Sequence, residues 1–200
     1  MREPGWLNRR AEEFLAEYRK AQVVLTPSNG LSGSCVWRAP PSEEFKMNFD
    51  TAVFSDQHCS GFGAIIRNSL GEVMAAMSVK GPYVNSSEEA EVMACRRAVE
   101  FSREVGFSRL ITEGDCLNVM QALFDPTENS LLLGHIFEDI KLNLRGMQVL
   151  SLSWVKRSGN MVVHTLEKYA RNLVDDLYWI EDTLPYVADA LYYDSSHINE

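Results

Sequence analysis

Three strand-patterned segments follow one another between Lys46 and Val79, with no helix among them. Met47, Phe49, Thr51 and Val53 alternate with Asn48, Asp50, Ala52 and Phe54, a period-two pattern. A second strand is expected over 61–67 and a third over 72–79, joined by Asn68-Ser69-Leu70-Gly71, which has hairpin-turn chemistry. Strands joined this closely must run antiparallel, because a parallel pair needs a crossover of a dozen or more residues. Helical spacing then takes over. Ala90, Met93, Ala94, Ala98, Phe101 and Val105 form the apolar stripe of a helix over 87–105, which Ser86 or Ser87 can cap and Gly106 is placed to end. A short strand over 109–113 follows. Next come a helix opened by Asp115 and stopped at Asp125-Pro126, a helix over 131–144 and a strand over 147–155. A final helix over about 160–176 carries Val163, Leu166, Ala170, Leu173 and Leu177 as its stripe. The order βββαβααβα predicts an α/β unit: one five-stranded mixed sheet, its first three strands antiparallel, flanked by helices.

The ends differ from this middle. Residues 8–21 have helical spacing (Ala11, Phe14, Leu15, Tyr18), and 26–44 are rich in Pro, Gly and Ser, so 1–45 is expected to be a helical arm and a linker. The folded unit is expected over 46–176. Residues 172–200 hold seven acidic side chains and no Lys or Arg, against 13 basic and 15 acidic over 46–171, so the net charge of −9 lies mostly in the tail. We therefore set 177–200 apart as an acidic tail, with a short helix or ordered arm at most. The near-neutral middle gives no long-range field for a polyanion, which argues against a non-specific basic coat protein. Cys35, Cys59, Cys95 and Cys116 lack metal-ligand spacing and are read as reduced thiols. No signal peptide, transit peptide or membrane span is evident, so a nuclear or cytoplasmic location is expected.

Three acids stand out. Asp50 lies mid-strand in a half-buried pattern, where a carboxylate needs a partner, hydrogen bonds or a metal. Alternatively it is a strand-end Asp bonded to a neighbouring amide. Glu91 borders the apolar stripe of its helix, and a snorkelling residue would do the same. Asp115 follows a strand and precedes a helix, a ligand-binding position in open α/β sheets, yet Asp is also a preferred helix cap. Clustered carboxylates have one shared use, holding Mg²⁺ or Mn²⁺ through oxygen ligands. His164, on the side of the last helix shared with Asn160, is a fourth candidate or a lone surface histidine. Lys156 and Arg157, just before that helix, suit phosphate or form a solvated pair. Glu113 is read as solvated or as supporting Asp115.

Taken in order, these residues resemble the ribonuclease H type 1 family, and more closely its plant, retroelement-derived, reverse transcriptase-like group. The resemblance lies in Lys46-Met47-Asn48-Phe49-Asp50-Thr51-Ala52, Gly61-Phe62-Gly63-Ala64-Ile65-Ile66-Arg67-Asn68 and Gly71-Glu72-Val73. It continues in Glu89-Ala90-Glu91, Glu113-Gly114-Asp115-Cys116-Leu117-Asn118-Val119 and Val155-Lys156-Arg157-Ser158-Gly159-Asn160, then His164 and Leu166. Trp37 to Pro41 resembles a tryptophan–proline junction found upstream in such chains. The resemblance implies a ribonuclease H-like fold and two-metal-ion cleavage of the RNA strand of RNA–DNA hybrids with Mg²⁺, or with Mn²⁺. It implies that Asp50, Glu91 and Asp115 match three metal-binding carboxylates and that His164 stands where the family has a fourth. Asn48, Lys156, Arg157 and Asn160 are then expected at the nucleic acid.

The departures have physical consequences. Imidazole is a poorer partner than carboxylate for hard Mg²⁺ and adds no negative charge. Thr51 replaces the family's usual glycine. No histidine lies between Val155 and Asn160, and 106–135 offers Arg109 as its one basic residue, so weak hybrid binding is expected. Three readings follow: a hybrid-cleaving endoribonuclease; a catalytically weakened domain that binds nucleic acid, or a protein through the N-terminal helix or the tail; and a nuclease acting on structured RNA or single-stranded DNA.

Overall fold

The computed structural model describes residues 34–124, 133–145, 147–182 and 184–196. The helix expected over 8–21, residues 26–33 of the linker and the stop at Asp125-Pro126 lie outside the described residues. Strands β1 (Phe45–Phe54), β2 (Cys59–Arg67) and β3 (Val73–Pro82) form the expected antiparallel meander. In the β2–β3 turn, Asn68 Oδ1 accepts from the amides of Leu70 (2.9 Å) and Glu72 (3.0 Å), and Gly71 takes a φ of 79° that a side chain would oppose.

Helix α1 (Ser87–Glu104) is capped by Ser86, whose side chain accepts from the Glu89 amide. It leads to β4 (Arg109–Gly114), α2 (Leu117–Phe124), α3 (Gly134–Arg145) and β5 (Gln148–Trp154). A 3-10 helix (Arg157–Gly159) precedes α4 (Met161–Tyr169), and a second one (Ala170–Asn172) ends it. The expected final helix is thus shorter: Leu173 turns extended, with φ −72° and ψ 143°. The chain then forms β6 (Leu177–Ile180), a 3-10 helix (Pro185–Val187) and α5 (Ala188–Ser196). The sheet order is β5-β4-β1-β2-β3-β6, with β1, β4 and β5 parallel and β6 antiparallel to β3. Among the described residues the sheet has six strands where five were expected. The sixth comes from Leu177-Tyr178-Trp179-Ile180, a run with strand propensity at the β3 edge. Among the described residues no helix is long and apolar enough to cross a membrane.

The two sheet faces bury different partners. Met47, Phe49, Phe62, Ala64, Ile66 and Met77 pack with α1, α2 and α3. Ile65 and Ala76 pack with Val163 and Leu166 of α4 and with Leu184 and Val187. Burying a side chain such as Val163 or Leu166 contributes about 1.5–3 kcal/mol.

That second face also buries a polar chain. The Arg67 guanidinium lies 3.7 Å from the Trp37 ring centroid and donates to Asp194 at 2.7 Å. Both members of this ion pair have side chains only 2% exposed. Trp37, before the sheet, and Asp194, in the last described helix, are thereby fastened to one residue of β2.

Candidate metal centre

Asp50 is placed by two registers at once. Parallel pairing of β1 with β4 ends at Phe49–Gly114, and the next residues along the chain are Asp50, still within β1, and Asp115, just past β4. Asp115 therefore lies just past the carboxyl end of β4, where open α/β sheets bind ligands, and Asp50 lies beside it, midway along β1, where the pairing with β4 stops. Trp154, closing β5, donates to the Asp115 carbonyl at 2.8 Å. The first bond of α2 runs from Met120 N to the Cys116 carbonyl, so Cys116 and not Asp115 stands at the helix-cap position. On the other side, antiparallel pairing sets Asp50 opposite Gly63. A Cβ at Gly63 would lie 2.6 Å from the Val163 carbonyl and 2.8 Å from the Glu167 amide, so the missing side chain lets α4 rest on the sheet. This close approach brings His164 and Glu167 to Asp50.

Two overlapping groups result. Ligand atoms of Asp50, Glu91 and Asp115 all lie within 4.8 Å of one another, as do those of Asp50, His164 and Glu167. His164 Nδ1 is 3.4 Å from Asp50 Oδ2 and 2.5 Å from Glu167 Oε1. Asp50 Oδ1 accepts from the Thr51 amide at 2.8 Å, whereas Asp50 Oδ2, Glu91 Oε2 and Glu167 Oε2 are buried with no hydrogen-bond partner. The Thr51 hydroxyl turns to the Gly61 carbonyl at 3.1 Å.

Burial, then the charge of Asp115, raises Asp50 to about 7. Burial, then Asp50, raises Glu91 to about 9 and Glu167 to about 11. Asp115 is raised by burial, against the opposing charge of Arg157. His164 falls to about 4 because burial and then Arg157 disfavour imidazolium. A neutral imidazole therefore meets a protonated Glu167. Carboxyls kept protonated this way are what a divalent cation displaces protons from. The orphaned oxygens and the all-oxygen core of the donor set fit a hard cation such as Mg²⁺ or Mn²⁺.

The basic candidates lie at the rim. Arg157 has a side chain 63% exposed, its Nη2 3.0 Å from His164 Nε2 and 3.9 Å from Glu167 Oε1. Lys156 is exposed beside it. Asn48 and Asn160 are instead buried and occupied. Asn48 accepts from Trp37 Nε1 (3.0 Å) and Arg67 Nη2 (3.4 Å) and donates to Glu113 and Asn160, both at 3.2 Å, which uses its whole amide. Asn160 donates to the Phe49 carbonyl at 3.0 Å, tying the start of α4 to β1. Glu113 sits in the same web, bound by Lys46 (2.7 Å) and Ser153 (3.2 Å).

Glu167 was not among the sequence candidates. Its position carried a signal: it falls at i+4 from Val163 and i+3 before Ala170, inside an apolar stripe.

A family model described as "Reverse transcriptase-like" matches residues 48–170, more than half of the chain. No curated protein matches the chain in sequence. Among solved structures, the chain is similar to ribonuclease H1 from the halophilic archaeon Halobacterium salinarum NRC-1. Identity there is 20% and the TM-score 0.59, over 64% of this chain and 98% of that one. It is similar to LC11 ribonuclease H1, solved in complex with an RNA/DNA hybrid, at 16% identity and TM-score 0.55, over 64% and 96% of the two chains. A further match is the prototype foamy virus protease–reverse transcriptase, at 15% identity and TM-score 0.53, covering 68% of this chain and 22% of that one. At these identities the likeness is one of fold, and the fold is ribonuclease H-like.

Proposed function

This chain belongs to the reverse transcriptase-like family, and on that premise we propose that it is a metal-dependent endoribonuclease acting on the RNA strand of RNA–DNA hybrids. The observation that carries the reading is the convergence of Glu91, Asp115 and His164 on Asp50, midway along β1, with buried carboxylate oxygens left without partners. Asp50 would serve both ions of a two-ion centre, since it belongs to both ligand groups, with Glu91 and Asp115 on one side and His164 on the other. When bound, such ions supply an activated water and neutralise charge on the phosphodiester oxygens.

The chain's own residues do the rest. The exposed Arg157 and Lys156 meet backbone phosphate at the rim. Asn48 and Asn160 hold the loop that carries those two residues against β1, rather than reaching the nucleic acid themselves. Thr51 keeps its hydroxyl on the Gly61 carbonyl, leaving its amide to orient the Asp50 carboxylate.

The test is a cleavage panel in Mg²⁺ and in Mn²⁺: an RNA–DNA hybrid, single-stranded RNA, structured RNA and single-stranded DNA. The expected result is cutting of the hybrid's RNA strand in preference to the others. Preferred cutting of structured RNA or single-stranded DNA would replace the substrate. Hybrid binding without cutting by the folded chain would favour a catalytically weakened binding module.

A further inference from the structure

We propose that Glu167 is a cation ligand, forming with Asp50 and His164 a second site for a hard divalent ion beside the Asp50–Glu91–Asp115 site. The inference rests on the reading above that the acid cluster binds divalent ions, and adds the residue that makes its second position workable. A site built from Asp50 and His164 alone has one carboxylate, already shared with the first ion, and a neutral imidazole. That is little charge for a cation that prefers oxygen.

Glu167 supplies the missing carboxylate from within the fold. Its side chain is 1% exposed, and Oε2 has no hydrogen-bond partner. Asp50 Oδ2, in the same group, is likewise buried and unpartnered. Two buried carboxyl groups this close need a proton or a cation between them, and a cation shared by the two oxygens fills that need. Oε1 lies 2.5 Å from His164 Nδ1, and Nδ1 lies 3.4 Å from Asp50 Oδ2, so a cation held by all three groups would take the place of the Nδ1–Oε1 contact.

The backbone also holds Glu167 in place. Its amide and carbonyl lie where side chains at Gly63 and Gly61 would be, at 2.8 Å and 2.3 Å from their ideal Cβ positions. The helix cannot withdraw the carboxylate without leaving the sheet. Ligands on one hexacoordinate Mg²⁺ at about 2.1 Å lie roughly 3–4 Å apart, and the members of this group all fall within 4.8 Å. The mixed oxygen and nitrogen donors favour Mn²⁺ over Mg²⁺ at this position.

The test is a Mn²⁺ titration of the full chain, reading free Mn²⁺ by electron paramagnetic resonance. The wild-type chain is expected to hold two ions. Glu167→Gln and Glu167→Met should retain the first and weaken the second by about tenfold or more. Glu167→Met replaces the carboxyl by an apolar side chain of similar length, so one variant at least should keep the fold, checked by circular dichroism. Glu91→Gln and Asp115→Asn should instead weaken the other ion. Two ions of wild-type affinity in a folded Glu167 variant would overturn the assignment. So would a single wild-type ion insensitive to Glu167. Binding insensitive to Glu91, Asp115 and Glu167 alike would overturn the metal-centre reading itself, a separate failure.

Discussion

Asp50 and Gly63 face each other across the β1–β2 ladder, and the absence of a side chain on Gly63 lets the α4 backbone come down beside the Asp50 carboxylate. The site is therefore assembled by a packing contact as much as by its acids. Gly63→Ala places a methyl 2.6 Å from the Val163 carbonyl, a backbone atom that cannot rotate away. The substitution should destabilise the chain by about 1–3 kcal/mol, as overpacking does. It should also weaken divalent-ion binding, because His164 and Glu167 move with the helix. Urea unfolding and a Mn²⁺ titration check the pair of effects. Loss of stability with unchanged affinity would break the link.

The acids also set a pH dependence. In the folded, metal-free chain Asp50, Glu91 and Glu167 keep protons to about 7, about 9 and about 11, against ordinary values of 3.8, 4.5 and 4.5. Between those values the folded state binds more protons than the unfolded state, so stability falls as pH rises. His164 has the opposite sign, but only between about 4 and 6.5. Above that window the acids act with the same sign as Cys95 and Cys116, whose thiols burial also raises. In chelator, Tm should fall from pH 6.5 to pH 9, and saturating Mg²⁺ should flatten the decline. Differential scanning calorimetry at several pH values reads both. A Tm that rises over this range would contradict the assignment.

Arg67 and Asp194 form a buried ion pair roofed by Trp37. Removing one member leaves the other charge buried, which typically costs about 3–5 kcal/mol. Asp194→Ala should lower stability by that order in urea unfolding. Arg67→Met together with Asp194→Leu should recover much of it, since no charge is then stranded. A loss in Asp194→Ala of well under about 1 kcal/mol, the scale of a surface pair, would show that the pair is not buried in solution.

Arg157 stands at the rim, exposed enough to meet phosphate and close enough to oppose the rise that burial imposes on the Asp115 carboxyl. Arg157→Ala should weaken hybrid binding and reduce the slope of log K against log salt by about one. Fluorescence anisotropy at several salt concentrations measures that slope. An unchanged slope would remove Arg157 from the interface.

Much of this was legible in the sequence, for identifiable reasons. The meander showed because period-two alternation and the Asn68–Gly71 turn are local signals, and α1 showed because Ser86 and its stripe are too. Asp50, Glu91, Asp115 and His164 could be singled out by their positions on strands and helices. The structure adds that they converge. Glu167 is not distinguishable locally, because a single charged residue inside an apolar stripe can equally snorkel to solvent. The strand Leu177–Ile180 is hidden because helical spacing runs on through Leu173 and Leu177, whereas the chain leaves the helix at Leu173 and residues 177–180 pair with β3. The Arg67–Asp194 pair has no local signal, since its members are 127 residues apart and meet only in the folded chain.

The central claim is that the carboxylate of Asp50 holds the divalent ions with which the chain cuts RNA. The most direct measurement is cleavage of an RNA–DNA hybrid in Mn²⁺ and in Mg²⁺ by the wild-type chain and by Asp50→Asn, with His164→Asp in parallel. The account predicts metal-dependent cutting of the RNA strand by the wild type and its loss to background in Asp50→Asn. In His164→Asp, a gained negative charge should raise the rate in Mg²⁺. Cutting that survives Asp50→Asn, or a folded, metal-loaded wild type and His164→Asp that both leave the hybrid intact, would contradict it.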